Sequence, residues 1–171
     1  MNWILLLALL PASARAQPGM WTLEKAIALK YPLPQLSGDS LAARMARGDS
    51  SLLVFDTRPA EEYDVSHLRG ALRIDPDMGA EAFVAAYGDR LAGCDLVFYC
   101  SVGYRSSIVI ERVRGAAEEA GARSVANLRG GIFRWYNEDR PLFGQAQVDT
   151  VHPYDAYWGR FLRDKRAAFR P

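Results

Sequence analysis

Cysteine and histidine are scarce in this sequence. Its 171 residues include two cysteines, Cys94 and Cys100, and two histidines, His67 and His152. Two histidines so far apart do not match the ligand spacing of a metal site. A glycine-rich nucleotide-binding motif is also lacking. We therefore expect neither a metal ion nor a bound cofactor.

An excess of charge of either sign is lacking as well. Lysine and arginine together number 21 and aspartate and glutamate 20, so the formal net charge is +1. Proteins that bind nucleic acid attract its phosphates through a basic field, which this composition does not supply. We therefore expect no nucleic-acid partner. Internal repeats and low-complexity runs are missing, and the length fits one domain with a full core.

Long apolar runs are missing except at the start of the chain. Residues 1–10 are apolar almost throughout, and small residues follow at Ala14 and Ala16. The run is far shorter than the ~20 residues of a membrane-spanning helix, and Ala14-x-Ala16 is typical of a signal-peptide cleavage site. We predict a signal peptide over residues 1–16 and an exported protein, periplasmic if the organism is bacterial. An uncleaved N-terminal anchor is the alternative, because no lysine or arginine precedes the run.

The scarcity of cysteine directs attention to Cys100. The apolar stretch 96–99 predicts a buried strand, and the pattern predicts a helix from Ser106 onward. Cys100 would end that strand at the mouth of the helix, where backbone N–H groups and the helix dipole favour a thiolate. An extended segment from Cys94 to Cys100 spans ~20 Å, which is too far for a disulfide. Cys100 is thus a candidate nucleophile, and a buried structural cysteine is the alternative.

Strand and helix patterns alternate along the chain. The clear strand patterns cover residues 51–58, 71–74, 96–99 and 124–128. Such alternation predicts an α/β fold with a central, mostly parallel sheet and helices on both faces. Ligands of such sheets bind beyond the carboxyl ends of the strands. Three features are expected there: Asp56 with Arg58, the loop 100–105, and the pair Gly130 and Gly131.

Four short motifs follow one another at these predicted strand ends. They are Val54-Phe-Asp-Thr-Arg-Pro-Ala-Glu-Glu-Tyr63, His67-Leu-Arg-Gly-Ala71, Cys100-Ser-Val-Gly-Tyr-Arg-Ser106 and Leu128-Arg-Gly-Gly-Ile-Phe-Arg-Trp135. Together they resemble the motifs of the rhodanese family of sulfurtransferases. The resemblance implies a rhodanese-like domain over residues 36–143. Residues 17–35 would then be an N-terminal lead-in, and residues 144–171 a basic and aromatic C-terminal extension.

The resemblance implies sulfur transfer through a persulfide on Cys100. The thiolate would take the outer sulfur of thiosulfate or a similar small anion, and cyanide, a thiol or a protein thiol would accept it. We predict Cys100 and Arg105 as catalytic residues, with Asp56 and Arg58 supporting the site. The predicted substrate-binding residues are Ser101, Val102, Gly103, Tyr104 and Ser106. For Arg105 two roles stay open, which are orienting an anionic donor and bracing the loop through an ion pair with Asp56 or Glu62.

Two other functions are compatible with the sequence. A phosphatase or arsenate reductase of the related type uses a Cys-x5-Arg loop, whereas Cys100 and Arg105 are spaced as Cys-x4-Arg, a smaller cradle that suits one sulfur atom. The other is a sulfur or polysulfide carrier that serves a protein partner.

The tail slightly favours the carrier. From Arg160 onward the tail holds five basic residues and one acidic residue, and aromatic residues recur at Tyr154, Tyr157, Trp158 and Phe161. It could contact a partner protein or an anionic membrane surface. Packing back on the domain, with the basic face in solvent, is the alternative.

Overall fold

The computed structural model describes residues 18–144 and 147–163. The predicted signal peptide, residues 1–16, lies outside the described residues and stays a prediction. Within the described part of the chain, no helix combines the length and the apolar character needed to cross a membrane.

The centre of the molecule is a five-stranded sheet. Its strands are β1 (Gln35–Leu36), β2 (Leu52–Asp56), β3 (Leu72–Arg73), β4 (Asp95–Tyr99) and β5 (Ser124–Leu128). They lie side by side in the order β1-β5-β4-β2-β3, and every pairing is parallel. The predicted α/β fold is confirmed, with a sheet that is wholly parallel. A separate antiparallel pair is formed by β6 (Leu142–Phe143) and β7 (Gln147–Val148).

Helices cover both faces of the sheet. They are α1 (Pro18–Lys30), α2 (Gly38–Ala46), α3 (Ala60–Val65), α4 (Ala80–Tyr87), α5 (Tyr104–Glu119), α6 (Gly131–Asn137) and α7 (Ala156–Gly159), with a 3₁₀ turn at Gly88–Arg90. Side chains alternate across each strand, so Phe55 and Phe98 share a core with α4 and α5, whereas Val54 and Val97 share one with α1, α2 and α6. Because β2 and β4 are covered on both faces, their sequences are nearly continuous apolar runs.

Helix α5 begins two residues earlier than the sequence predicts. The pattern predicts a helix from Ser106, whereas α5 starts at Tyr104. Gly103 precedes it with a φ of +100°, a left-handed conformation that glycine adopts without a Cβ clash. The chain therefore turns from β4 into the helix through residues 100–103, and Arg105 lies in the first helical turn.

The segments that flank the family-like motifs pack on the same body. Met20 and Ile27 of α1 are buried together with Leu128, and Val151 and Leu162 from the C-terminal segment are buried in the same core. The lead-in and the described part of the extension therefore share one hydrophobic core with the sheet.

Candidate active site

Cys100 lies directly after β4, at the carboxyl end of the sheet, and is 1% exposed. The amide of Gly103 donates a hydrogen bond to its sulfur, with N and Sγ 3.2 Å apart. Helix α5, 16 residues long, begins immediately afterwards, and its N-terminus adds positive potential at the same place. Cys94 and Cys100 are both free thiols, as their spacing predicts.

The start of α6 holds the other side of the loop. The amide of Ile132 donates to the carbonyl of Cys100 at 2.9 Å, and that of Phe133 to the carbonyl of Ser101 at 3.0 Å. Amides of a first helical turn have no partner within their own helix, so the loop satisfies them. Gly131 permits this approach, because it has a φ of +56° and a Cβ there would overlap the Cys100 carbonyl oxygen.

Arg105 forms a two-point ion pair with Glu62 of α3. Its Nη1 and Nη2 lie 2.6 and 2.9 Å from Oε1 and Oε2 of Glu62. Nη2 also donates to the hydroxyl of Ser101 at 2.8 Å. Burial lowers the pKa of Arg105, but the hydrogen bonds to Glu62 and the nearby Cys100 sulfur raise it more. Of the two roles left open for Arg105, this geometry favours the brace, with Glu62 rather than Asp56 as its partner.

Asn127 of β5 holds the loop from behind. Its Nδ2 donates to the Gly103 carbonyl at 2.8 Å and to the Ser107 hydroxyl at 2.9 Å. Its Oδ1 accepts from the hydroxyl of Ser106 at 2.8 Å. The side chains of Asn127, Ser106 and Ser107 are all buried, and the hydrogen bonds of Asn127 satisfy the polar atoms of both serines. The sequence analysis did not single out Asn127, although a polar residue within a buried strand is itself a signal.

Asp56 and Arg58 form a fully buried ion pair next to the site. Arg58 Nη2 lies 2.6 Å from Asp56 Oδ2 and 2.5 Å from the carbonyl oxygen of Ser66. Burial lowers the pKa of Arg58, and the charge and hydrogen bonds of Asp56 raise it more. Asp56 pairs in register with Tyr99, the last residue before Cys100. The pair thus ties the end of β2 to the segment after α3.

A cleft of about 250 Å³ opens above the loop. It is lined by Cys100, Ser101, Val102, Tyr104, Arg105, Tyr154 and Trp158. Tyr104 stands at its rim, where the hydroxyl accepts a hydrogen bond from Lys30 Nζ at 3.0 Å. Tyr154 and Trp158 come from the C-terminal extension, where the sequence analysis noted recurring aromatics without placing them at the site.

The predicted site residues therefore separate into two groups. Five of them line the cleft, namely Cys100, Ser101, Val102, Tyr104 and Arg105. Gly103 and Ser106, also predicted to bind substrate, instead shape the loop through hydrogen bonds to Cys100 and Asn127. Asp56 and Arg58 do not line the cleft. The structure thus places the predicted nucleophile Cys100 in the lining of one cleft, next to the Gly103 amide and the N-terminus of α5.

Part of this chain is similar in sequence to known proteins. A tRNA uridine(34) hydroxylase from Bacillus velezensis is 33% identical over 109 residues, which are 63% of this chain and 32% of that protein. The chain spans about a third of the length of the curated relatives it matches.

Solved structures share the fold. A thiosulfate sulfurtransferase from Pseudomonas aeruginosa superposes with a TM-score of 0.53 and 18% identity, covering 73% of this chain and 23% of that one. A rhodanese-like domain from an Anabaena species superposes with a TM-score of 0.50 and 23% identity, covering 65% and 79%. At these identities the structures show a common fold and no more.

The family model of the rhodanese-like domain matches residues 37–138. The matched range includes Glu62, Cys100 and Asn127, and it ends before Tyr154 and Trp158. It covers more than half of the chain and agrees with the parallel sheet and with the position of Cys100 at the end of β4. The chain therefore belongs to the rhodanese-like domain family.

Proposed function

We propose that this protein is a sulfurtransferase that carries sulfane sulfur as a persulfide on Cys100. The observation that carries the proposal is the position of the Cys100 sulfur. It lies at the floor of a cleft, accepts a hydrogen bond from the Gly103 amide, and faces the N-terminus of α5. Backbone dipoles aimed at one sulfur atom suit a group that stays anionic as thiolate and as persulfide.

The reaction has two balanced steps. The Cys100 thiolate attacks the outer sulfur of thiosulfate or a similar donor, a new S–S bond forms, and the old S–S bond breaks with its electron pair leaving on sulfite. A thiophilic acceptor, such as cyanide or a thiolate, then attacks the outer sulfur and regenerates the thiolate. Neither step transfers a proton, because the attacking groups are the Cys100 thiolate and the acceptor in its anionic form.

Hydrolysis of phosphate esters is a weaker alternative. A phosphatase needs its loop arginine to contact the equatorial oxygens of the phosphate. Here Nη1 and Nη2 of Arg105 both donate hydrogen bonds to the Glu62 carboxylate, so they are not directed at a phosphate. The Cys-x4-Arg spacing from Cys100 to Arg105 is also one residue shorter than the Cys-x5-Arg spacing of that class.

A carrier that passes sulfur only to a protein partner is the remaining alternative. The hydroxylase activity in the name of the Bacillus velezensis relative belongs to a protein about three times as long as the matched segment.

We also propose that the protein acts after export, with its signal peptide removed near Ala16. N-terminal sequencing of the protein recovered from its producing cells tests this directly. A mature chain that begins close to residue 17, in the exported fraction, supports the proposal. An intact Met1 in the cytosolic fraction contradicts it.

The test of sulfur transfer is an intact mass of the protein after thiosulfate, and again after cyanide. Wild-type protein should gain about 32 Da, the mass of one persulfide sulfur, and release it as thiocyanate. Cys100→Ser should gain nothing, whereas the matched variant Cys94→Ser should behave as wild type. Mass gain without release to cyanide would support the carrier, and gain on Cys94 would refute the assignment. Hydrolysis of an aryl phosphate in place of sulfur loading would favour the phosphatase.

A further inference from the structure

The walls of the Cys100 cleft are aromatic. Tyr104 comes from the first turn of α5, and Tyr154 and Trp158 come from the C-terminal extension. The last two lie beyond residues 37–138, the range that the rhodanese-like family model matches. Two of the three aromatic residues that line the cleft therefore lie outside the segment that the family model matches.

The cleft offers little to a small, highly charged anion. Among the residues that line it, Arg105 carries the cationic charge, and that charge is already balanced by the buried carboxylate of Glu62. The Cys100 sulfur itself uses the Gly103 amide. A second anionic end of a donor would lie against aromatic rings, where an unpaired charge is unfavourable.

The cleft is also larger than a small inorganic donor requires. Its volume of about 250 Å³ is on the order of eight times the share of liquid volume of a water molecule. Thiosulfate has five non-hydrogen atoms and would leave much of that space to water. A donor with an apolar group beyond its reactive sulfur would fill the space and displace that water.

Tyr154 is held over the cleft in an uncommon backbone conformation. Its φ is +68°, which a bulky residue adopts rarely. Its amide donates to His152 Nδ1 at 3.0 Å, and its ring lies 4.9 Å from the guanidinium carbon of Arg105. Such a backbone conformation persists only where the surrounding structure maintains it. Residues of this kind cluster at functional sites.

We propose that the preferred sulfur donor is an organic sulfane-sulfur compound, a thiosulfonate or persulfide with an apolar or aromatic group, and that Tyr154 and Trp158 set this preference. The inference rests on the proposed sulfurtransferase function and deepens it. The apolar group lies between the rings of Tyr154 and Trp158 while the reactive sulfur meets Cys100. Aromatic groups pack well there, because rings stack or meet edge to face.

The chemical step balances without any further reagent. The Cys100 thiolate attacks the sulfane sulfur of R–SO₂–S⁻ and forms the persulfide. The bond between the sulfane and sulfonyl sulfurs breaks, and its electron pair leaves on the sulfinate R–SO₂⁻. Cyanide then takes the sulfane sulfur as thiocyanate and regenerates the thiolate.

The experiment compares two donors that differ only in the apolar group. Benzenethiosulfonate and methanethiosulfonate are each assayed with cyanide, and kcat/KM is divided by the rate of the same donor with free cysteine, which removes intrinsic reactivity. Wild-type protein should prefer the benzene compound by about tenfold or more after this correction, the range that a few buried carbons provide. A corrected ratio close to one would overturn the inference.

Variants then assign the preference to the aromatic wall. Tyr154→Ala should reduce the corrected ratio at least about threefold, whereas Tyr154→Phe should keep it, because the ring is retained. Trp21→Ala is the matched control, since Trp21 of α1 is an aromatic residue that is 55% exposed against 52% for Tyr154 but does not line the cleft. Equal ratios in Tyr154→Ala and Trp21→Ala would refute the assignment. The ratio is measured within each variant, so a partly unfolded fraction cancels.

The same assays separate this inference from the proposed function. If thiosulfate or methanethiosulfonate loads Cys100 and the aromatic donor has no advantage, sulfur transfer stands and the donor class is wrong. If no donor adds sulfur to Cys100, both proposals fail.

Discussion

Arg105 and Glu62 are 43 residues apart in sequence and meet through two hydrogen bonds of 2.6 and 2.9 Å. Glu62 is 1% exposed, so its carboxylate depends on this guanidinium for compensation. The pair connects α3 to the first turn of α5, next to the loop that contains Cys100. Arg105, for which the sequence left substrate orientation and bracing open, is thus committed here to a protein carboxylate.

A double-mutant cycle measures that brace. Arg105→Met leaves a buried carboxylate unpaired and should lower the free energy of unfolding by about 2–4 kcal/mol. Glu62→Gln should lower it by a smaller amount, since an amide keeps one hydrogen bond. Because each single variant already removes the ion pair, the double variant should lose at least about 1 kcal/mol less than the sum of the singles. Urea denaturation followed by fluorescence gives the three values, and strict additivity would contradict the brace.

Gly131 should tolerate no side chain. Gly131→Ala places a Cβ against the Cys100 and Ser101 carbonyls at a φ of +56°. We expect a loss of about 2–4 kcal/mol in unfolding free energy and slower persulfide formation, because α6 must move away from the loop. Gly115→Ala is the control, since no atom lies within 4 Å of its Cβ and the position is an exposed one in α5. That variant should be stabilised by up to about 1 kcal/mol. Equal melting temperatures for the two variants would contradict the close approach.

Asn127 should matter to the loop as well as to stability. Asn127→Asp replaces the Nδ2 donor by an oxygen that faces the Gly103 carbonyl. We expect destabilisation by about 1–3 kcal/mol and a several-fold slower loading of Cys100. Asn137→Asp is a matched control, because Asn137 also donates to a backbone carbonyl, that of Phe161, and neither residue lines the cleft. The Asn137→Asp protein should be less stable than wild type. Its folded fraction should still load sulfur onto Cys100 at the wild-type rate, as measured by rapid-quench mass spectrometry.

Acid should weaken the fold through Asp95. Hydrogen bonds from Arg123, with smaller ones from Ser124 and Arg44, outweigh burial and hold the pKa of Asp95 well below its usual 3.8. In the unfolded chain this carboxyl titrates at its ordinary pKa, so as pH falls the unfolded state takes up the proton first. The contribution is complete above about pH 5 and is lost progressively as the pH falls towards the folded pKa.

The variant Asp95→Asn isolates that contribution. At pH 7 it should lower the unfolding free energy by about 1–3 kcal/mol, and between pH 5 and 3 its stability should fall less steeply than that of wild type. The control is Asp89→Asn, which changes an exposed carboxyl in the 3₁₀ turn. Denaturation curves across this pH range check the slope. Parallel slopes for wild type and Asp95→Asn would show that another group causes the acid sensitivity.

The secondary structure near the nucleophile was largely predictable, because its signals are local. A short apolar run ending in Cys100 indicates a buried strand, and Gly103 indicates a turn. The sequence predicts the start of α5 two residues late. The left-handed conformation of Gly103 lets the helix begin directly at Tyr104, and the sequence pattern does not reveal that conformation. The free state of both cysteines followed from the length of an extended chain.

By itself, the sequence determined the alternation of strands and helices, and with it the parallel sheet and the position of Cys100 at its carboxyl edge. These follow from periodicity and chain direction, which adjacent residues carry. Only the tertiary structure decided that Glu62, rather than Asp56, pairs with Arg105, and that Tyr154 and Trp158 line the same cleft as Cys100. Such contacts join residues tens of positions apart, and they depend on how α3 and the C-terminal segment pack, which no local pattern encodes.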